Sequence, residues 1–338
     1  MASNVCTNCF SERELKAFIN SHSQLGKCTF CEKENIEILE ISELYDFFKE
    51  LLDNFQKKEN GQPLKNIIQG IWSLFSSAEL SNKILNFIIH NIDTEILSAD
   101  ELVDFNEDIY ENVNYWDRLK EQLIWERRYL TDINYLTDEL GWDGFFNSQI
   151  ALTKTTELYR ARLHNKSDAK CYELTEMFCP PRKISTAGRA NPSGIPFLYL
   201  SDNKDTILYE IRASYLDEIS IGTFTLKDDL KKLIYISDFT ESSTIFHPSR
   251  VNEKIKSTLL KQKISIDLSK PMRRYDSELE YIPTQFICEF IKVYTGVQGI
   301  KFRSSLHTLG NNLVLFDQEL VECIHVEKVK VKKVQIGT

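Results

Sequence analysis

Four cysteines, Cys6, Cys9, Cys28 and Cys31, stand as two C-x2-C pairs near the N-terminus. Each pair puts two thiolates on one tight knuckle, and two knuckles complete a tetrahedral shell of soft sulfur ligands. That shell suits Zn2+ with no position left for water, which makes a structural metal site and not a catalytic one. Gly26 and Lys27 precede the second knuckle, and a cation beside thiolates eases their deprotonation. Between the pairs, Leu15, Phe18 and Ile19 fall at helical spacing, so a helix is expected over residues 12–21. Cys171, Cys179, Cys288 and Cys323 are scattered, and are expected as reduced, partly buried thiols rather than a disulfide framework.

The second half of the chain holds three clusters with more polar residues than a core requires. The first is Tyr159, Arg160, Ala161 and Arg162. The second is the run GRANPSGIPFLY over 188–199, with Thr206 and Glu210 behind it. The third is GIKFRSS over 299–305, followed by Gly310, Asn311 and Asn312. In the second cluster a Gly/Pro-shaped turn runs into a strand, with Arg189 before the turn and Tyr199 in the strand. Thr206 is expected to start a helix that carries Glu210. Arginine offers a planar fork for phosphate oxygens. A carboxylate can accept a sugar hydroxyl and stabilise positive charge growing on the sugar, and a tyrosine face can stack on a flat ring. Together they suit a ligand with phosphates and a hydroxylated sugar. Each taken alone has a plainer reading: Arg160 and Arg162 as ion-pair partners, Tyr199 as a core aromatic, Asn191 and Asn312 as turn formers.

The elements that must position these residues follow from the rest of the sequence. The chain has 338 residues, 42% apolar and 27% charged, with 12 Gly and 8 Pro. That is room for two domains and an appendage, and it excludes a collagenous or linker-dominated chain. Its formal charge of −9 disfavours a general nucleic-acid binder, and the lysine-rich run 328–333 reads as a solvated strand face. The first ten residues lack an apolar segment behind a basic start, and no stretch approaches a membrane span, so a cytoplasmic protein is expected. Residues 42–150 read as helical, with segments near 44–55, 64–75, 79–90, 99–112 and 116–130, and a capping box at Ser98–Glu101. From about 157 short β-rich runs appear at 197–201, 219–226, 232–236, 299–304, 313–317 and 321–334, interrupted by helices near 203–215 and 277–295. The expected organisation is a four-cysteine zinc knuckle over 1–40, a helical domain over 41–150 and an α+β domain over 151–338.

The three clusters resemble the RES domain, a family named for its Arg, Glu and Ser. The resemblance covers roughly 157–320 and rests on GRANPSGIPFLYLS, the Thr206-to-Glu210 segment, a helix with Tyr281, Gln285 and Glu289, and GIKFRSS with GNNLVLF. The preceding region resembles the HEPN-type helical bundles that accompany such domains. It carries His90 but no arginine shortly before it, so a HEPN-type nuclease is not expected. The resemblance implies an ADP-ribosyltransferase-like split antiparallel sheet with flanking helices, and NAD+ as the substrate. It makes Arg189, Tyr199, Glu210 and Ser304 the catalytic set, and Arg160, Arg189, Tyr199, Asn191 and Ser305 the NAD+-binding set, with Ser304 and Ser305 as rival assignments for the functional serine. Many members have tryptophan where this chain has Ala190. The implied activity is cleavage of the nicotinamide–ribose bond to nicotinamide and ADP-ribose by a bacterial toxin or defence effector. An antitoxin or trigger protein and a homo-oligomer are the implied partners. Transfer of ADP-ribose to a macromolecule, and a non-catalytic NAD-binding module, are the rival readings.

Overall fold

The computed structural model describes residues 3–22, 24–146, 149–166, 169–240, 244–271 and 278–332. Its strands are β1 (Asn4–Cys6), β2 (Gln24–Gly26), β3 (Ile36–Glu40), β4 (Phe55–Pro63), β5 (Leu102–Phe105), β6 (Gln149–Leu152), β7 (Leu158–Leu163), β8 (Leu198–Ser201), β9 (Glu218–Leu226), β10 (Ile234–Asp238), β11 (Gly299–Arg303), β12 (Asn311–Leu315) and β13 (Val321–Lys330). Its helices are α1 (Arg13–His22), α2 (Tyr45–Leu52), α3 (Leu64–Trp72), α4 (Ala78–Ile89), α5 (Glu107–Glu121), α6 (Trp142–Phe145), α7 (Lys204–Glu210), α8 (Val251–Ser269) and α9 (Ile282–Tyr294). The chain forms two compact units, Met1–Tyr115 with Ser242–Leu260, and Trp116–Glu241 with Lys261–Thr338.

In the first unit β1, β3 and β2 make a small antiparallel sheet, and α1 lies between the cysteine pairs in sequence, as expected. Its core joins Phe10, Phe47, Phe48 and Phe75 to Ile245, Phe246, Val251 and Ile255. The region 42–115 is not all helix. Strands β4 and β5 pair antiparallel, because the polar run 56–62 has too few apolar positions to continue α2. At Gly61 the backbone closes on Val103, whose carbonyl oxygen would lie 2.4 Å from any Cβ there. The expected capping box at Ser98–Glu101 is a turn, with the Glu101 N–H donating to the Ser98 carbonyl at 3.2 Å, and the helix starts later, at Glu107.

The second unit is α+β, built on a mixed sheet in the order β13-β9-β7-β8-β12-β11-β10-β6. Each strand expected from the sequence is present, although residues 333 and 334 of the last run and residue 277 of the last helical stretch lie outside the described residues. The pairing is antiparallel except at β10 and β11, which run parallel, so the wholly antiparallel sheet expected above is corrected there. Helices α8 and α9 supply the crossover that a parallel pair needs. Strands β7 and β8 meet at one residue pair, Tyr159 and Ser201, and the sheet splits at that seam. Residues from Trp116 to Phe146 belong with this unit, so the divide falls earlier than the composition shift near 150. Trp116 meets Trp142 at 6.4 Å, and Phe146 stacks on Phe239 at 5.8 Å and meets Phe290 edge-on at 6.3 Å.

Candidate functional site

Beside the seam lies a cavity of about 320 Å3 whose walls include Arg160, Arg189, Tyr199, Glu210, Ser269, Ser305 and Asn312. They come from strands, helix ends and loops that the second unit brings together, and local chemistry fixes them. Along β8 the side chains alternate. Leu198 and Leu200 enter the core, which leaves Tyr199 facing the other way. Helix α7 starts at Asn203, whose side-chain oxygen accepts from the Asp205 N–H at 2.8 Å and the Thr206 N–H at 3.3 Å, a standard N-cap. Glu210 ends that helix.

Glu210 is an exposed residue, yet one of its carboxylate oxygens is held twice. Oε1 accepts from Ser304 Oγ at 2.7 Å and from Asn312 Nδ2 at 2.8 Å. Ser304 is itself 5% exposed, and its oxygen accepts the N–H groups of Leu306 and His307, both at 3.2 Å. With its acceptor capacity used by those amides, the hydroxyl proton is turned toward Glu210. Ser305 instead lines the cavity, and its hydroxyl donates to the Ser269 carbonyl. The two serines therefore do different jobs: Ser304 orients the carboxylate, and Ser305 ties the cavity wall to the end of α8.

The Tyr199 hydroxyl is fully used. It accepts from the Ala190 N–H at 2.9 Å and donates to Asn191 Oδ1 at 2.8 Å, and burial pushes its pKa up. The same crossing explains Gly188, where a Cβ would stand 2.5 Å from the tyrosine hydroxyl and 2.7 Å from Asn191 Oδ1. Asn191, placed with the NAD+-binding set above, is not among the cavity's lining residues. Its amide donates to the carbonyls of Thr186 and Pro192, at 3.2 and 3.1 Å, so it shapes the loop. That loop is clamped from α9: Thr284 Oγ1 donates to the Arg189 carbonyl at 2.6 Å, and Gln285 Nε2 to those of Gly188 and Asn191 at 2.8 and 3.1 Å. Arg189 then donates to the Leu268 carbonyl at 3.1 Å, at the C-terminal end of α8, where a cation is favoured.

Arg160 is a half-buried cation among poor partners. Its Nε is buried without a hydrogen bond among the described residues, and its Nη1 lies 3.5 Å from the Tyr199 carbonyl. Burial lowers the pKa of both Arg160 and Arg189. Arg162 is structural: it donates to the Glu176 carbonyl and lies over the Tyr172 ring. Arg182 lines a separate concavity with Cys179, and the arginines that line this cavity are Arg160 and Arg189. Asn312, a turn former by its sequence context, lies instead in β12, opposite Phe302 and Ser201. Nothing in the GNN run signals that its amide reaches Glu210.

The cysteine cluster is a second candidate site. The four sulfurs lie within 4.8 Å of one another, with Cys6 3.8 Å from Cys9 and 3.4 Å from Cys31, and Cys9 3.5 Å from Cys28. A tetrahedral ion with metal–sulfur bonds of about 2.3 Å needs sulfurs about 3.8 Å apart. Contact with Cys28 pushes Cys9 up, and Cys28, accepting from Cys6, is pushed down to about 2. A divalent ion bound to all four as thiolates would relieve this crowding. The cluster can hold a metal ion. Lys27, expected beside the thiolates, is engaged by Glu34 at 2.9 Å on the exposed side.

No helix among the described residues is long and apolar enough to cross a membrane. No curated protein matches the chain in sequence. Among solved structures, that of the M. tuberculosis MbcT-MbcA toxin-antitoxin complex aligns with 56% of this chain and 92% of that one, at 10% identity and a TM-score of 0.28. The model of the RES domain matches residues 157–334, over half of the sequence and the whole of the split sheet from β7 onward. The chain therefore belongs to the RES domain family.

Proposed function

We propose that this chain is an NAD+ glycohydrolase, in which water displaces nicotinamide from the ribose to give nicotinamide, ADP-ribose and a proton. RES domain toxins process NAD+, and the single observation that carries the finer reading is the doubly held Glu210 carboxylate at the wall of a cavity with two arginines. The cavity is at the small end of ligand sites, which suits the nicotinamide riboside half of NAD+. Nicotinamide leaves as a neutral molecule, so no acid has to expel it. The transition state has oxocarbenium character, as in glycoside cleavage. Glu210 meets the ribose hydroxyls and the growing positive charge, and its fixed position removes reorganisation from the step. Arg189 and Arg160 take the pyrophosphate. The Tyr199 ring bounds the nicotinamide ribose, while its hydroxyl keeps the 188–191 loop in shape.

In this reading the split sheet is an ADP-ribosyltransferase-like clamp, and the protein is a cytoplasmic toxin or defence effector. An antitoxin or trigger protein is its partner, the HEPN-like first unit restrains or triggers it, and that unit carries a structural Zn2+ on Cys6, Cys9, Cys28 and Cys31. The test is to incubate the full chain and a Glu210→Gln variant with NAD+ and follow both products by chromatography. Equal release of nicotinamide and ADP-ribose by the wild type, falling by at least about 100-fold in the variant, is the expected result. Nicotinamide without free ADP-ribose means transfer to an acceptor, which the exposure of Glu210 would allow. Absence of turnover overturns the enzymatic reading in favour of a binding module.

A further inference from the structure

We infer that Asn312 is a positioning residue for Glu210, the group that decides which carboxylate oxygen meets the substrate; this rests on the glycohydrolase reading of the same site. A carboxylate with rotational freedom presents either oxygen. Here both protein donors, Ser304 and Asn312, converge on Oε1. Oε1 is thereby occupied, and Oε2 is the oxygen left for the ribose hydroxyls.

Asn312 is built for this work in three respects. First, it lies in β12 with β11 on one side and β8 on the other, so its backbone is held by both ladders and its side chain starts from a fixed point. Ser304, by contrast, begins the loop that leads to Gly310. Second, its donor is neutral. A lysine or arginine there would orient the carboxylate but cancel the charge that stabilises an oxocarbenium ion; an amide orients it and leaves the charge intact. Third, Asn312 lines the cavity itself. Because a carboxylate only accepts, the amide must turn its NH2 toward Glu210, and its Oδ1 has no partner among the described residues.

The experiment uses the full chain and the variants Asn312→Ala, Asn312→Asp and Glu210→Gln, with the double variant Asn312→Ala/Glu210→Gln. Steady-state kinetics on NAD+ should show kcat down roughly 10- to 100-fold in Asn312→Ala, the size of one hydrogen bond to a charged group, with KM within about threefold. Asn312→Asp should fall further, because a second carboxylate repels the first. On the Glu210→Gln background, Asn312→Ala should change the rate less than about twofold, since its effect passes through the missing group. A purely structural role would lower both backgrounds alike. Alongside, the side-chain carboxyl carbon of Glu210, assigned by its loss in Glu210→Gln, should move in the NMR spectrum of Asn312→Ala. A resonance that stays in place overturns the inference whether or not the protein turns over. A resonance that moves with kcat retained overturns the positioning role. Wild type that releases no nicotinamide defeats the glycohydrolase reading instead, and the resonance alone then decides the Glu210–Asn312 contact.

Discussion

At the scale of single residues, Arg160 is a cation for which the fold itself supplies poor partners. A guanidinium buried without a carboxylate partner is a cost to the folded state. Arg160 makes no ion pair among the described residues, its Nε is unsatisfied, and Arg162 adds a like charge beside it. In the reading proposed above, the NAD+ pyrophosphate would supply the missing partner. Replacing it by methionine keeps much of the volume and removes the half-buried charge. Arg160→Met is therefore expected to melt at or above the wild-type temperature while losing at least about tenfold in NAD+ affinity, a loss of about 1.4 kcal/mol. Calorimetric melting and isothermal titration with NAD+ check the two halves separately. A variant that melts well below wild type would mean that the arginine is structural after all. Arg160→Lys should not restore affinity, because a point charge cannot form the planar fork.

At the scale of elements, legibility follows periodicity. Strands β8 to β13, α7 and α9 are readable, because alternation and helical spacing are local signals, although the cap of α7 is Asn203 and not Thr206. Helix α8 is not, since its buried positions, Val251, Ile255, Leu260, Ile264 and Leu268, advance by four and five residues and wind off a single stripe. Strand β4 escapes a sequence reading because its partner, β5, is remote in the chain and its own residues are mostly exposed. At the site, Arg189, Tyr199, Glu210 and Ser304 are legible as residues. The hydrogen bonds of Asn191, Gln285 and Asn312 are not, because they join segments far apart in the chain or use an amide that also suits a turn. The cysteine knuckle is the most local signal of all, and it makes its own prediction. Two three-residue strands and a ten-residue helix bury little by themselves, so their order should depend on the ion. Elemental analysis of the purified chain should give about one zinc per molecule. A strong chelator, or Cys9→Ser with Cys28→Ser, should lower the melting temperature of the first unit. A metal-free preparation with an unchanged melt would refute a structural metal.

At the scale of the whole molecule, the two units interleave along the chain. Residues 242–260 leave the second unit, enter the core of the first, and return through α8. The far end of that helix supplies the Leu268 carbonyl that holds Arg189 and the Ser269 carbonyl that takes Ser305. The match to the RES domain over 157–334 thus includes a stretch that the second unit does not bury for itself. A fragment comprising residues 151–338 would strip Ile245, Phe246, Val251 and Ile255 of the core they share with residues 1–115. It would also lose Phe146 from its stack on Phe239. Each of the four exposed side chains costs about 1.5–3 kcal/mol, and together they rival the whole stability of a typical domain, about 5–15 kcal/mol. The fragment is therefore expected to be insoluble, or to keep far-ultraviolet dichroism without the near-ultraviolet signal of fixed packing. The full chain should show both and melt cooperatively. A soluble fragment with a sharp melt and wild-type NAD+ turnover would show instead that the RES segment folds without the first unit, and that residues 242–260 serve the first unit rather than depend on it.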